Sequence, residues 1–403
     1  MDGTPRQATP LDAIEGRFDP WLLGCALALA CFGLVMVASS SVAIGATPYE
    51  YALRHALYLA LGACVAAVAM RTELKLVEAW SQWLLIGCFV LLLLVLVPGL
   101  GHEVKGARRW LNLVLIKFQS VEAVKVLLVV WLASYLKRFN EGIAATWPAL
   151  LKPLGVAGLL VALLLMQPDF GSAMLLLAIT GGMLVLAGAS MPRIFLPVAL
   201  LLPTLAAIAL AAPYRVRRLT SFTDPFEDPF GAGYQLANAL MALGRGEWFG
   251  VGLGASVQKL SYLPEAHTDF ILAVIGEELG LFGVLAVIAL YALLAGRAFW
   301  LGLQCVEMRR HFAGYCAFGI ALWMSLQSLV SIGVNLGLLP TKGLTLPLIS
   351  SGGSSVLMTC AALGLLLRVS YEYERARRQV ARLRGEAAQP ASAGAAPIAA
   401  PPP

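Results

Sequence analysis

Three carboxylates stand close together in Tyr262–Gly280, YLPEAHTDFILAVIGEELG. Asp269, Glu277 and Glu278 lie at or inside the start of an apolar run that continues through Leu294. A carboxylate costs free energy in a bilayer, so a membrane segment that keeps one is a candidate for function. If the helix begins near Asp269, Ala273 and Gly276 lie beneath it on the same face. Glu277 then falls about 80° away and about 12 Å deeper, and Glu278 points to the opposite side. An acid at the membrane surface, above small side chains, suits acid/base chemistry on a group that reaches the interface. An alternative for Asp269 is a plain helix N-cap, a place Thr268 could also take. Glu277 and Glu278 more often pair with a cation inside a bundle than act on a substrate.

Other polar residues interrupt apolar sequence elsewhere. Glu122 and Lys125 are three apart on one helix face, so they can pair within the membrane, and Ser120 is the expected N-cap of that helix. Gln167-Pro168-Asp169-Phe170-Gly171 separates two apolar runs, and Asp169 suits either the cap of the next helix or the shaping of an outer cavity. Leu338–Ser355, LLPTKGLTLPLISSGGSS, is broken by Pro340, Pro347 and Gly352-Gly353, as in a re-entrant or broken helix. Lys342 within it adds positive charge to the outer surface, or simply snorkels to water.

The elements that must position these residues follow from composition. Hydrophobic residues make up 59% of the 403-residue chain and charged ones 13%, about half the charged share of soluble domains; mean hydropathy is +0.80. Apolar runs of about 20 residues, the length of a bilayer-spanning helix, recur about ten times. They lie near 19–42, 51–70, 79–98, 117–136, 149–166, 172–190, 193–212, 269–296, 312–337 and 346–369. The expected fold is an all-α polytopic membrane protein of about ten transmembrane helices, with a large extracytoplasmic loop, 213–268, between spans seven and eight. Residues 1–18 read as a cytoplasmic tail, 19–370 as the membrane domain, and 371–403 as a basic, then disordered Ala/Pro-rich, tail. The charged N-terminal segment does not resemble a signal peptide. The seven cysteines and four histidines show neither a disulfide framework nor metal-ligand spacing.

Orientation follows from Lys and Arg near the spans. Arg368, Arg375, Arg377, Arg378, Arg382 and Arg384 put the C-terminus in the cytoplasm, and an even number of spans puts the N-terminus there too. Two outer loops break the rule: GHEVKGARRWLNL with Lys105, Arg108 and Arg109, and 213–268 with Arg215, Arg217, Arg218, Arg245 and Lys259. Positive charge there suits binding of an anionic ligand. The alternative is that the long loop's cations pair with Asp224, Glu227, Asp228 and Glu247. That loop's glycines and short apolar runs fit a segment folded back over the bundle.

With these motifs in order, GARRWL (106–111), KFQSVEAVK (117–125), QPDFG (167–171), GYQ (233–235), Tyr262–Gly280 and Leu339–Ser355, the chain resembles the SEDS family (shape, elongation, division and sporulation) over about residues 20–370. PEAHTDF, GRGE and LPTKGLTLPLIS resemble its division-type members more than its elongation-type members. The resemblance implies a polytopic peptidoglycan glycosyltransferase acting on lipid II, a disaccharide-pentapeptide joined by diphosphate to a polyprenyl chain. It implies Asp269 as the catalytic base, taking the proton of the acceptor sugar's 4-hydroxyl as that oxygen attacks the donor's anomeric carbon. The product is a β-1,4 glycan, with polyprenyl diphosphate leaving. Arg108, Arg109, Glu122, Lys125 and Lys342 are then candidates for substrate binding, and Asp169, Glu277 and Glu278 for support of the cavity. The pattern is departed from at Ser120, Ala239 and Ser351.

The implied partners are a class B penicillin-binding transpeptidase and other divisome membrane proteins, with no nucleic acid. The implied place is the cytoplasmic (inner) membrane, multi-pass, at the division septum. No cofactor is fixed, and the reading leaves room for a divalent cation such as Mg or Mn. A lipid II flippase or other transporter stays open, since broken helices and intramembrane charges suit transport too. Also open are an elongation-type polymerase and a non-catalytic scaffold.

Overall fold

A computed structural model describes residues 16–388 apart from 45–46, 105, 114–115, 211–212 and 232. Lys105, most of the N-terminal tail and residues 389–403 therefore lie outside the described residues, as do the side chains of Arg215, Arg218 and Arg384. The chain is mostly helical. In order come α1 (Pro20–Ser40), α2 (Glu50–Arg71), α3 (Leu74–Ala79) and α4 (Ser81–Leu96), then three strands, β1 (Gly101–Val104), β2 (Ala107–Leu113) and β3 (Ile116–Gln119). There follow α5 (Ser120–Arg138), α6 (Asn140–Ala145), α7 (Trp147–Met166), α8 (Phe170–Leu186) and α9 (Met191–Leu210). The rest is α10 (Pro213–Thr223), α11 (Tyr234–Gly246), α12 (Ile271–Glu307), α13 (His311–Asn335) and α14 (Gly353–Ala388). A helix covers most of each apolar run, and among the described residues six helices are long and apolar enough to cross a membrane. The stretch 213–268 is not an open loop, since it holds α10 and α11.

α5 and α13 form the centre. Nearly every side chain from Ser120 to Leu136 is buried, as expected of a helix that is apolar all round. α13 packs on α5, α8, α12 and α14. On the outside α2 lies against α14, where a Cβ at Gly364 would strike the Ala66 backbone at 2.5 Å; glycine there lets two membrane helices approach closely. Helix starts follow capping chemistry where an Asp precedes the run. Asp19 accepts from Trp21 N at 2.9 Å with Pro20 opening α1, and Asp169 accepts from Ser172 N at 3.3 Å at the head of α8.

Three expectations are corrected. The fold is not all-α, because GHEVKGARRWLNL and the residues after it make an antiparallel sheet ordered β1-β2-β3, with Gly101 opposite Leu111 and Trp110 opposite Gln119. Gly106, at φ +78, supplies the left-handed turn between the first two strands. Ser120 does not cap α5. Gln119, still extended from β3, occupies the cap position, and Ser120 Oγ is buried inside the first turn without a partner.

The third correction concerns α12, which does not begin at Asp269 and is not one rod. It starts at Ile271 after Phe270, and Gly280 breaks it with φ 67 and ψ −163. The chain at Glu247–Gly252 is stitched into that break. Val251 N donates to Glu277 O (2.9 Å) and Gly252 N to Glu278 O (3.0 Å), while Leu281 N and Phe282 N donate to the carbonyls of Glu247 (2.9 Å) and Trp248 (3.3 Å). Main-chain groups freed by the break are thus satisfied by loop backbone. The expected depth order is lost as well. Glu278 meets Ser39 at the far end of α1, whereas Thr268 bonds Ser350, and the preceding Leu348 and Ile349 rest on Gly33, roughly 9 Å back along α1.

Candidate active site

Asp269 lies just outside α12, on backbone held from two other elements. Ser351 N donates to His267 O at 2.9 Å, Ser350 Oγ to Thr268 O at 2.6 Å, and Asn335 Nδ2 to Asp269 O at 2.9 Å. Three successive carbonyls are fixed in this way. The carboxylate faces the segment between α13 and α14, which is non-helical from Leu336 to Gly352, as its two prolines and paired glycines suggested. A Cβ at Gly343 would lie 2.9 Å from Asp269 Oδ2, so only glycine leaves that approach clear.

Lys342, the next residue, turns its ammonium over the Phe170 ring, 4.8 Å from the centroid, and its stem lies beside Gly171. These belong to the Gln167–Gly171 turn, which Arg109 clasps from β2. Its guanidinium donates to the carbonyls of Gln167 and Pro168 and stands 3.8 Å from Asp169 Oδ1. Asp169 is 6% exposed and also accepts from Ser172 Oγ at 2.8 Å. Arg109, Asp169, Lys342 and Asp269 are therefore neighbours in one continuous cluster drawn from β2, the α7–α8 turn, the α13–α14 segment and the start of α12. Arg108 is not part of it. Successive side chains on a strand face opposite ways, and Arg108 extends to Glu103 at 3.3 Å on the exposed side.

His267 packs on Tyr51 with ring centroids 4.7 Å apart. Burial pushes its pKa below the usual histidine range, with Glu265 offsetting part of the shift.

Glu122 and Lys125 sit deeper, inside the bundle. Lys125, 1% exposed, is 2.9 Å from Glu122, donates to Gln327 Oε1 at 2.7 Å, and lies 4.8 Å above the Trp323 ring. Gln327 Nε2 in turn donates to Thr345 O at 2.8 Å, which ties this buried pair to the segment that carries Lys342 and Gly343. Glu277 and Glu278 are both fully buried and both paired, so the long-loop cations Arg245 and Lys259 meet these two acids rather than the loop's own. Arg245 reaches Glu277 at 2.7 Å, and Glu277 also accepts from Ser256 Oγ, Val257 N and Gln258 N. Lys259 reaches Glu278 at 2.7 Å, where Ser39 Oγ also donates.

Asn335, Gln327 and Ser350 were missed by sequence reasoning. The first two are amides inside an apolar helix, which is itself a signal when neutral polar side chains are weighed with the charged ones. Chemically the cluster offers a carboxylate able to accept a proton next to cations able to face an anion.

Comparison with known proteins gives a consistent match. The family model for FtsW, RodA and SpoVE, described as cell cycle protein, matches residues 20–375. A protein of Xanthomonas oryzae pv. oryzae named probable peptidoglycan glycosyltransferase FtsW is 65% identical over 383 residues, 95% of this chain and 79% of its own length. One of the same name from Alkalilimnicola ehrlichii is 50% identical over 367 residues, 90% of this chain and 92% of its own. Among solved structures, a chain from a peptidoglycan synthase complex described as coordinating polymerization and crosslinking superposes with TM-score 0.71 at 30% identity, over 88% of this chain and 98% of that one. The rod shape determining protein RodA of Thermus thermophilus gives 0.66 at 30% identity, over 88% and 97%.

Proposed function

The chain belongs to the FtsW, RodA and SpoVE family of cell cycle proteins, and from that premise we propose a peptidoglycan glycosyltransferase of the division type. It polymerises lipid II into β-1,4 glycan strands at the outer face of the cytoplasmic membrane, for septal wall synthesis. The observation that carries the chemistry is the Asp269 carboxylate against Gly343, with Lys342 and Arg109 close by. Asp269 takes the proton of the acceptor's 4-hydroxyl as that oxygen attacks the donor's anomeric carbon. The bond to the diphosphate breaks, and polyprenyl diphosphate leaves with the electron pair. Lys342 and Arg109 face the charge that grows on the leaving group. Arg108 stands at the rim, where it can meet the substrate's anionic part on approach. Glu122 and Lys125 brace the floor through Gln327 and Thr345 instead of touching the sugar. Glu277 and Glu278 hold the 245–259 segment against α12.

A transport reading needs intramembrane charges free to exchange partners. Here Glu278 and Lys259 are buried together, 0% and 5% exposed at the side chain, which favours a fixed brace. A divalent cation such as Mg or Mn would arrive with the substrate's diphosphate. Among the described residues no three His, Cys, Asp or Glu stand together as a metal site. The partner is a class B penicillin-binding transpeptidase that cross-links the new strand, alongside other divisome membrane proteins. Ten spans with both termini cytoplasmic complete the reading. A cysteine placed at Arg108 should then react with an impermeant thiol reagent outside intact cells, and one at Arg378 should not; the reverse pattern would invert the side of catalysis.

The deciding experiment is Asp269→Asn, reconstituted with lipid II and scored separately for glycan polymer and for translocation. Loss of the base should lower polymerisation about 10²–10⁴-fold. A variant that polymerises at the wild-type rate removes Asp269 from the mechanism.

A further inference from the structure

Asn335 is the last residue of α13 and is fully buried. Its amide occupies the place of a hydrogen bond that α12 would make if it began one turn earlier. In a continuous helix the carbonyl of Asp269 would accept from the amide of Ala273. Here Asn335 Oδ1 accepts from Ala273 N at 3.1 Å, and Nδ2 donates to Asp269 O at 2.9 Å and to Ser331 O at 2.8 Å. The partners fix which way the amide points, since the oxygen meets an N–H and the nitrogen meets two carbonyls.

Two consequences follow. Ala273 N, which already donates to the Phe270 carbonyl at 3.1 Å, gains Asn335 Oδ1 as a second acceptor where Phe270 at the cap position offers no side-chain one. And Asp269 is kept out of the helix, with its carboxylate turned onto Gly343 instead of following the helical face of Ala273 and Gly276.

We propose that Asn335 is a positioning residue for the transferase reaction. By splicing its amide between Asp269 and Ala273 it stops α12 short of the acid and sets the direction of the carboxylate. It touches neither sugar nor diphosphate. The inference rests on the reading of Asp269 as the base.

The test uses full-length protein reconstituted with lipid II, comparing wild type, Asn335→Leu, Asn335→Asp and Asp269→Asn by kcat and KM across pH. Leucine keeps the volume but makes neither bond, and lets the helix extend toward Asp269. Misplacing a reacting group by about 1 Å can cost about 10²-fold, so N335L should lose about 10–100-fold in kcat with KM for lipid II within about twofold. Aspartate can restore both bonds only when protonated, accepting with one oxygen and donating with the other. N335D should therefore exceed N335L in kcat, and by more as pH is lowered. A merely structural role would shift the amount of folded protein or KM without that pH-dependent rescue. N335L at the wild-type kcat, or N335D no better than N335L at any pH, overturns the positioning role. If D269N is inactive in either case, the base reading survives alone. If D269N is fully active, the base reading falls first.

Discussion

Lys259 and Arg245 reach adjacent carboxylates from one segment, yet replacing them should have very different consequences. The Lys259–Glu278 pair is buried on both sides, with 5% and 0% of the side chains exposed. Lys259→Met removes the cation and leaves Glu278 with Ser39 Oγ as its remaining donor. Breaking a buried pair by removing one partner typically costs 3–5 kcal/mol. The retained hydroxyl puts this case at the lower end, about 3 kcal/mol. Arg245 is 46% exposed and its partner Glu277 keeps three other donors, Ser256 Oγ, Val257 N and Gln258 N. Arg245→Met should therefore cost about 1 kcal/mol or less, as for a solvated pair.

Thermal unfolding of the purified protein, followed with a thiol-reactive fluorogenic dye, reads this directly because five of the seven cysteines are buried. A loss of about 3 kcal/mol should lower the midpoint by roughly 3–4 °C, and a loss under 1 kcal/mol by roughly 1 °C or less. Lys259→Met combined with Glu278→Gln removes the orphaned charge and should recover most of the loss. Equal shifts for the two single variants, or a double variant no better than Lys259→Met, would refute the argument that burial decides the magnitude.

Gly343→Ala places a Cβ 2.9 Å from Asp269 Oδ2 and should cut polymerisation at least about 10-fold through displacement of the acid, with expression and membrane insertion unchanged; normal turnover in reconstituted protein would show that the carboxylate is free to move. Arg109→Lys should weaken lipid II binding and polymerisation, because lysine cannot span the Gln167 and Pro168 carbonyls as the guanidinium does. Arg108→Lys, on the opposite strand face, should be nearly silent in the same binding assay, and equal loss in both would contradict the strand alternation.

Much of this was open to reading from the sequence where the determinant is local. Asp169 caps α8 because an Asp directly precedes an apolar run, and the interruption of Leu338–Ser355 follows from Pro340, Pro347 and Gly352-Gly353. What was hidden depends on partners far along the chain. The cations that neutralise Glu277 and Glu278 lie 32 and 19 residues upstream, so the two acids read as cavity support or as pairs with unnamed partners. The separation of Arg108 from Arg109 required knowing that the span-to-span connection is a strand, where neighbours diverge, and not a loop free to gather both on one anion. Gly280 is one of three close-set glycines in α12, with Gly276 and Gly283, and nothing in the sequence marks it out among them as the site of the break.

That break and the Asn335 splice act on opposite ends of the same segment. Upstream of Gly280 the α12 backbone is secured by Glu247–Gly252, and at Ile271 its first turn is secured by an amide 66 residues away from Asp269. Ile271–Leu279 is thus a short helical piece held at both ends by other parts of the fold, not the head of a long rod. A rod would carry its first residue wherever its tilt in the membrane took it. A piece clamped at both ends cannot, so the carboxylate of Asp269 stays registered to Gly343 and Lys342 even if the lower part of α12 shifts in the membrane. Helical periodicity alone therefore misplaced Glu277 and Glu278 relative to Asp269, and the same clamping gives the cluster around the acid its fixed geometry.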